Sequence, residues 1–223
     1  MRRRLAVLSS VVAAIGLGVA VAVALMVSLD GDSPTARQTS PVAASDRYRG
    51  GEPPPGITLS DFSLRNYDGR LIRSGDLLGR VTLLTFLDSQ CTDSCPVIAW
   101  TVARTIDSLT SAERRDVRAV AISTDPTEDT ERSVRRFLAG NRALGRLLYV
   151  GGGQPETELR AVWDRFHVLS SLESGADTLH SAPVRIYDRH GAWVTTLHAG
   201  ADLTEASLAH DIRVALTSDR DTG

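Results

Sequence analysis

The chain has 223 residues, of which 42% are hydrophobic and 23% charged, and its net charge is −2. A near-neutral net charge gives no excess of basic residues to attract a nucleic acid, so no nucleic-acid partner is expected. The length suits one folded domain with a sizeable core.

The N-terminus predicts a membrane anchor. Residues 1–4 carry three arginines, residues 5–29 are uncharged, and Asp30 and Asp32 follow. A helix of this length crosses the roughly 30 Å hydrocarbon layer of a membrane. The charge asymmetry predicts a single-pass protein of the cell membrane, with residues 1–4 in the cytoplasm and the C-terminal domain on the extracytoplasmic side. The alternative is a cleaved secretory signal, whose apolar region is normally only about 7–15 residues long.

Composition divides the remaining chain into three parts. Residues 30–56 are rich in Ser, Pro, Thr and Gly without apolar periodicity, which predicts a flexible linker. Residues 57–218 have the size of a single domain, and residues 219–223 form a short tail.

Strand and helix patterns alternate along the domain. The predicted strands are GRVTLLTFLD, VRAVAISTD, RLLYVGG, APVRIYD and AWVTTLHAG. The predicted helices are PVIAWTVARTIDSLTSAE, TEDTERSVRRFLAG, PETELRAVWDRF and LTEASLAHDIRVAL. This order indicates an α/β fold, with a central sheet layered by helices.

The chain has only two cysteines, Cys91 and Cys95, and they follow the first predicted core strand. If a helix begins near Cys91, the i, i+4 spacing puts both sulfurs on one helical face, and the helix N-terminus favours the thiolate forms. Such a pair can form a disulfide, exchange thiols or hold a soft metal. A purely stapling disulfide is disfavoured because its loop would be very short.

Three segments resemble the SCO/SenC family of membrane-tethered copper proteins: CTDSCP, STDPTEDTERSVRRFL and HSAPVRIYDRHG. The resemblance implies a thioredoxin-like fold, in which helices flank a central mixed sheet. It also implies a role in cytochrome c oxidase assembly. Cys91, Cys95 and His180 would then be the metal ligands.

The predicted ligand types agree with copper. Two thiolates and an imidazole suit Cu(I) and can also hold Cu(II), whereas magnesium and calcium prefer oxygen ligands. Zinc is the main competitor, but a structural zinc site normally has four protein ligands.

Other chemically active side chains have simpler interpretations. His167, His190, His198 and His210 are expected at a helix end, in a turn, along a strand and on a polar helix face. Asp125 and Asp129 are expected to be scaffold residues, because the first precedes Pro126 in a turn and the second suits the first turn of a helix.

Three functions remain open. The first is a copper-binding protein that delivers copper to, or prepares the copper centre of, a membrane cytochrome c oxidase. Its partners would be the copper-containing oxidase subunit, a thiol reductant and another copper chaperone. The second is a metal-independent thiol–disulfide oxidoreductase that keeps exported proteins reduced, with Cys91 attacking and Cys95 resolving. The third is a redox or copper sensor.

Overall fold

The computed structural model describes residues 47–168 and 183–218. The predicted anchor, most of the predicted linker, His180 and the tail lie outside these residues. Within the two described ranges, no helix combines the length and the hydropathy needed to cross a membrane.

A five-stranded sheet forms the centre of the domain, in the spatial order β5-β4-β3-β6-β7. Strands β3, β4 and β5 are parallel, whereas β6 is antiparallel to β3, and β7 to β6. The strands span Val81–Leu87 (β3), Val117–Ser123 (β4), Leu148–Val150 (β5), Pro183–Tyr187 (β6) and Trp193–His198 (β7). The predicted mixed α/β sheet is therefore confirmed.

Helices cover both faces of this sheet. They span Ser94–Ser108 (α1), Ser111–Arg115 (α2), Glu131–Gly140 (α3), Glu156–Arg165 (α4) and Glu205–Ser218 (α5). Side chains of α1, α3 and α5 pack on the face that includes Leu83 and Leu87, and α4 packs on the face that includes Leu84 and Phe86. All seven residues of β3 are buried. This explains its unbroken apolar sequence, because a central strand with two covered faces has no polar side.

The sequence did not predict a two-stranded hairpin, β1 (Ser63–Arg65) and β2 (Leu71–Arg73), that precedes the central sheet. Each strand has only three residues, too few to show a periodicity. The predicted first helix is also divided in two. Thr110 caps α2 by accepting a bond from the Glu113 amide, and the Glu113 carboxylate accepts one from the Thr110 amide. This reciprocal capping starts a new helix.

The end of the predicted linker packs against the domain. The buried carboxylate of Asp211 accepts hydrogen bonds from the amides of Arg49 and Gly50, at 2.8 and 3.0 Å. Gly51 pairs with Thr196 of β7. The packed region thus begins before the predicted boundary at residue 57, because β7 and α5 provide partners that lie far away in sequence.

Gly50 and Gly51 provide a matched test of this packing. A Cβ on Gly50 would collide with the carbonyl oxygen of Thr196, whereas a Cβ on Gly51 would lie 3.9 Å from the same atom. We expect Gly50→Ala to lower the free energy of unfolding by about 1–3 kcal/mol, as overpacking does. Gly51→Ala should change it by less than about 0.5 kcal/mol. Urea unfolding of both variants measures the difference, and equal losses would contradict the packing described here.

Candidate metal and redox site

The two cysteines lie where β3 passes into α1. Strand β3 ends at Leu87, residues 88–93 form a loop, and α1 begins at Ser94. Cys91 belongs to this loop and is half-buried, while Cys95 is the second residue of α1 and is buried. The condition for a shared helical face, a helix that begins near Cys91, is not met, because α1 begins at Ser94 and Cys91 lies in the loop before it. The loop instead brings them together, so that the Cys91 side chain contributes to the pKa of the neighbouring Cys95 thiol.

The expected preference for thiolate is also wrong for Cys95. Burial raises the pKa of the Cys95 thiol well above its ordinary value, a backbone hydrogen bond from Asp88 lowers it in part, and the neighbouring Cys91 raises it further. The cost of desolvating a thiolate here exceeds the benefit of the helix N-terminus. Cys95 therefore keeps its proton at neutral pH until a metal or a sulfur–sulfur bond replaces it.

Carboxylates make the surroundings of the thiols negative. Burial raises the pKa of Asp88, the backbone amide of Gln90 lowers it, and the nearby carboxylates of Asp129 and Asp125 raise it. The Gln90 amide bonds one Asp88 oxygen at 2.6 Å. Together with two sulfurs, these groups form a neighbourhood that favours a soft cation.

Asp129 holds the cysteine loop in place. Its carboxylate is 1% exposed and accepts a 2.8 Å bond from the amide of Ser89, inside the loop. The Ser123 hydroxyl at the end of β4 donates to it at 2.6 Å, and the Tyr149 hydroxyl on β5 donates at 2.7 Å. The same Tyr149 hydroxyl has a second acceptor, the carbonyl oxygen of Leu87, 2.8 Å away. One carboxylate thus connects the ends of three neighbouring strands.

The predicted scaffold roles of Asp125 and Asp129 are confirmed, with a different geometry for Asp129. It lies before α3, whose N-cap is Thr130, and not in the first turn. Asp125 accepts a bond from the Glu128 amide at 3.2 Å, as a turn residue does. Gly152 packs so closely on the backbone of Asp129 that a Cβ would collide with its carbonyl oxygen. Sequence reasoning missed this contact, because nothing local signals it.

The other four histidines lie in their own local settings. His167 follows α4 in a left-handed conformation, with φ 56°. His190 lies in a turn, His198 ends β7, and a ring nitrogen of His210 lies 3.2 Å from the Arg47 carbonyl oxygen. Across residues 47–168 and 183–218, no group of three or more Cys, His, Asp and Glu side chains could hold a metal. The set Cys91, Cys95 and His180 stays a prediction, because His180 lies outside the described residues.

The topology brings the start of β6 to the end of the sheet that carries the cysteine loop. His180 precedes Pro183, the first residue of β6, by three positions. Strand β6 is antiparallel to β3, with Leu84 opposite Arg185. The first residues of β6 therefore lie beside the last residues of β3, at the same end of the sheet. Pro183 is paired there with His198 of β7.

The family model for SCO1/SenC matches residues 51–217, nearly the whole described region. The chain belongs to the SCO1/SenC family. Among relatives, it is 29% identical over 126 residues to the mitochondrial protein SCO1 homolog 1 of Arabidopsis thaliana, an alignment that covers 56% of this chain and 37% of the relative. It is 26% identical to a SCO2-like protein of Rickettsia felis, over 52% of this chain and 55% of that protein. The alignments thus cover less than two thirds of these relatives.

Solved structures of Sco proteins have the same fold as this SCO1/SenC chain. BsSco, a member of the Sco family of cytochrome c oxidase assembly proteins with a disulfide switch, superposes with a TM-score of 0.59 at 20% identity, over 74% of this chain and 96% of its own. Yeast Sco1 with copper bound gives 0.59 at 19% identity, over the same shares of both chains. Bradyrhizobium japonicum ScoI with copper bound gives 0.53 at 22%, over 70% and 98%. The predicted thioredoxin-like architecture of this family is therefore confirmed for the described domain.

Asp129 and Asp125 provide a matched pair of carboxylates for testing the loop. Asp129→Asn keeps the shape of the side chain but replaces one acceptor oxygen that the Ser123 and Tyr149 hydroxyls need. We therefore expect the free energy of unfolding to fall by about 2 kcal/mol. Opening of the loop should also raise the alkylation rate of Cys95 by about tenfold. Asp125→Asn should change stability by less than about 0.5 kcal/mol. Urea unfolding and iodoacetamide kinetics measure both effects, and similar results for the two variants would exclude the bracing role of Asp129.

Proposed function

We propose that this protein carries copper on the extracytoplasmic side of the cell membrane and delivers it to, or prepares the copper centre of, a cytochrome c oxidase. Cys91, Cys95 and His180 are the proposed ligands. The observation that supports this most strongly is that the two thiols are neighbours at the end of the sheet where β6 begins. The first residue of β6 follows His180 by three positions in the sequence. Sco proteins of yeast and Bradyrhizobium japonicum have been solved with copper bound.

The residues of the site have distinct roles in copper carriage. Cys91 is the more accessible sulfur and makes the first contact with incoming copper. Cys95 then loses its proton as it binds, because the metal charge replaces the proton charge on the buried sulfur. Asp129 keeps the loop closed around both sulfurs. A site with three protein ligands leaves the metal open to a ligand from an acceptor protein, as transfer requires.

The setting of the proposal comes from the sequence. The apolar segment 5–29 and its flanking charges predict anchorage with the domain outside the cytoplasm, where thiols oxidise. A disulfide between Cys91 and Cys95 has no thiolate to offer a metal, so a thiol reductant must act before copper binds. The partners of the proposal are therefore such a reductant, a copper donor and the copper-containing subunit of the oxidase.

Thiol–disulfide exchange is a second candidate function. The half-buried Cys91 next to the buried Cys95 has the arrangement of an attacking and a resolving sulfur. In that reaction the Cys91 thiolate attacks a substrate disulfide and releases one substrate thiolate. Cys95 then attacks the mixed disulfide, releases the second substrate sulfur and leaves a Cys91–Cys95 disulfide.

Copper loading should depend on the redox state of the protein. We expect the reduced full-length protein to bind about one copper ion per chain, because thiolate sulfurs are the ligands. The oxidised protein should bind almost none. Copper titration of both forms, with free copper removed by desalting, measures the stoichiometry. Cys91→Ser and Cys95→Ser are the matched single-ligand controls, and equal loading of the oxidised and reduced proteins would refute the proposal.

Replacement of His180 separates the two candidate functions. We expect His180→Ala to weaken Cu(II) binding by about tenfold or more and to change the sulfur-to-Cu(II) absorption band, since Cu(II) favours imidazole nitrogen. Cu(I) binding should decrease less, and the rate of disulfide reduction should stay close to that of the unmodified protein. His198→Ala is the control, because His198 lies at the same sheet edge but is not a proposed ligand. If His180→Ala keeps the Cu(II) affinity and spectrum but loses reductase activity, the oxidoreductase function replaces the copper function.

A further inference from the structure

Four arginines surround a cavity at the end of the sheet opposite the cysteines. The cavity has a volume of about 530 Å³ and is lined by Arg80, Ser111, Arg114, Arg115 and Arg118. Arg80 immediately precedes β3 and Arg118 is the second residue of β4, so both lie where these parallel strands begin. The seven residues of β3 separate this end from the cysteine loop by about 20 Å. The cavity is therefore distinct from the copper site.

The cavity arginines are held by backbone oxygens and not by acids. The recorded side-chain bonds are from Arg80 to the carbonyl of Asp76, from Arg114 to those of Asp107 and Leu109, and from Arg118 to those of Arg115 and Val117. Within the described part of the chain, none of the four guanidinium groups forms an ion pair with a carboxylate. Backbone bonds fix Arg80, Arg114 and Arg118 in position without neutralising their charge.

Three acidic side chains close in sequence to these arginines are paired with other arginines. Glu113 pairs with Arg213 at 2.9 Å, and Asp116 pairs with Arg189 at 2.9 Å. Asp107 likewise pairs with Arg146. Asp76 lines an adjoining cavity and accepts a bond from the Arg73 amide, and within the described residues it forms no ion pair with the four arginines. Four guanidinium groups near this one carboxylate leave the cavity with a net positive charge.

The electrostatics of Arg118 indicate that the cavity favours an anion. Burial lowers the pKa of Arg118, and the positive charge of Arg80 lowers it further. The guanidinium groups of Arg118 and Arg80 thus lie close together in a partly desolvated part of the cavity. Such repulsion is relieved by a bound anion and increases when the cavity is empty.

We propose that the arginine cavity binds a phosphate group. The sequence contains no lysine, and every basic side chain that lines this cavity is an arginine. A guanidinium group can bind two phosphate oxygens at once, in a bidentate manner. The Ser111 hydroxyl provides a further donor. A phosphate carries up to two charges on several oxygens, and can therefore engage more of the four arginines at once than a carboxylate can.

An adjoining cavity extends the site beyond the phosphate. It has a volume of about 440 Å³ and shares Arg114 and Arg118. The rest of its lining is mixed, with apolar side chains such as Ile72, Ile106 and Leu147 beside polar ones such as Arg70, Asp76 and Arg146. A phosphate whose substituent has both apolar and hydroxyl groups therefore fits the two cavities together. The phosphate could come from a phospholipid headgroup or from a soluble phosphate, and the experiment distinguishes these sources.

The test is calorimetric titration of the full-length protein in a neutral detergent, with inorganic phosphate and with dihexanoyl phosphatidylglycerol as separate probes. We expect Arg115→Gln combined with Arg118→Gln to weaken binding of both probes by about tenfold or more, because charge-assisted hydrogen bonds are lost. Arg132→Gln combined with Arg136→Gln on α3 is the matched control, since it removes the same charge from exposed positions elsewhere. It should change binding by less than about twofold.

A single variant protects the test against misfolding. Arg115→Glu changes an exposed side chain for which the structure records no side-chain bond, so it should keep the fold and copper binding while weakening phosphate binding by about tenfold. If phosphatidylglycerol binds about tenfold more tightly than inorganic phosphate, the ligand is a lipid headgroup, and equal affinities assign a soluble phosphate. Equal losses in the cavity pair and the α3 pair, or no binding at about 10 mM phosphate, would overturn the proposal.

Discussion

The arrangement of the cysteine loop depends on one buried carboxylate. Asp129 receives bonds from Ser89 in the loop, from Ser123 at the end of β4 and from Tyr149 on β5. The indole of Trp163 donates to the Ser123 carbonyl oxygen, which links α4 to the same network. A buried carboxylate is costly unless its acceptors are used, so these bonds are made together and fix the strand ends relative to each other. The sulfurs of Cys91 and Cys95 are close because this frame holds the chain that carries them.

The mixed sheet gives its two ends different chemistry. The cysteine loop, Asp129 and the start of β6 meet at the end where β3 finishes, and the surplus of carboxylates there favours a cation. At the opposite end, guanidinium groups that form no ion pair within the described residues surround the cavity proposed to bind an anion. A central strand with both faces buried separates them, so either site can be changed without disturbing the ligands of the other.

The two thiols differ in their burial, and this gives them different roles. Cys91 is open enough to meet a partner, while Cys95 is desolvated and keeps its proton until something replaces it. In the proposed function, copper and a disulfide bond compete for the same two sulfurs, so the protein would hold either the metal or an oxidised pair. The proposal therefore couples the redox state of the two thiols to metal loading.

The sequence by itself determined the order of the main strands and helices, the position of the two cysteines after a core strand and the resemblance to the SCO/SenC family. These features are visible locally, because apolar periodicity and residue spacing act within a few positions. The β1–β2 hairpin was missed, since three-residue strands depend on a partner for their definition. The burial of Cys95, the partners of Asp129 and the meeting of Arg80 with Arg118 were decided by tertiary structure alone. The contacts of Asp129 and the approach of Arg80 to Arg118 join residues that are distant in the chain, and the burial of Cys95 depends on what covers it. Contacts and burial of this kind arise only when the strands and helices are packed together.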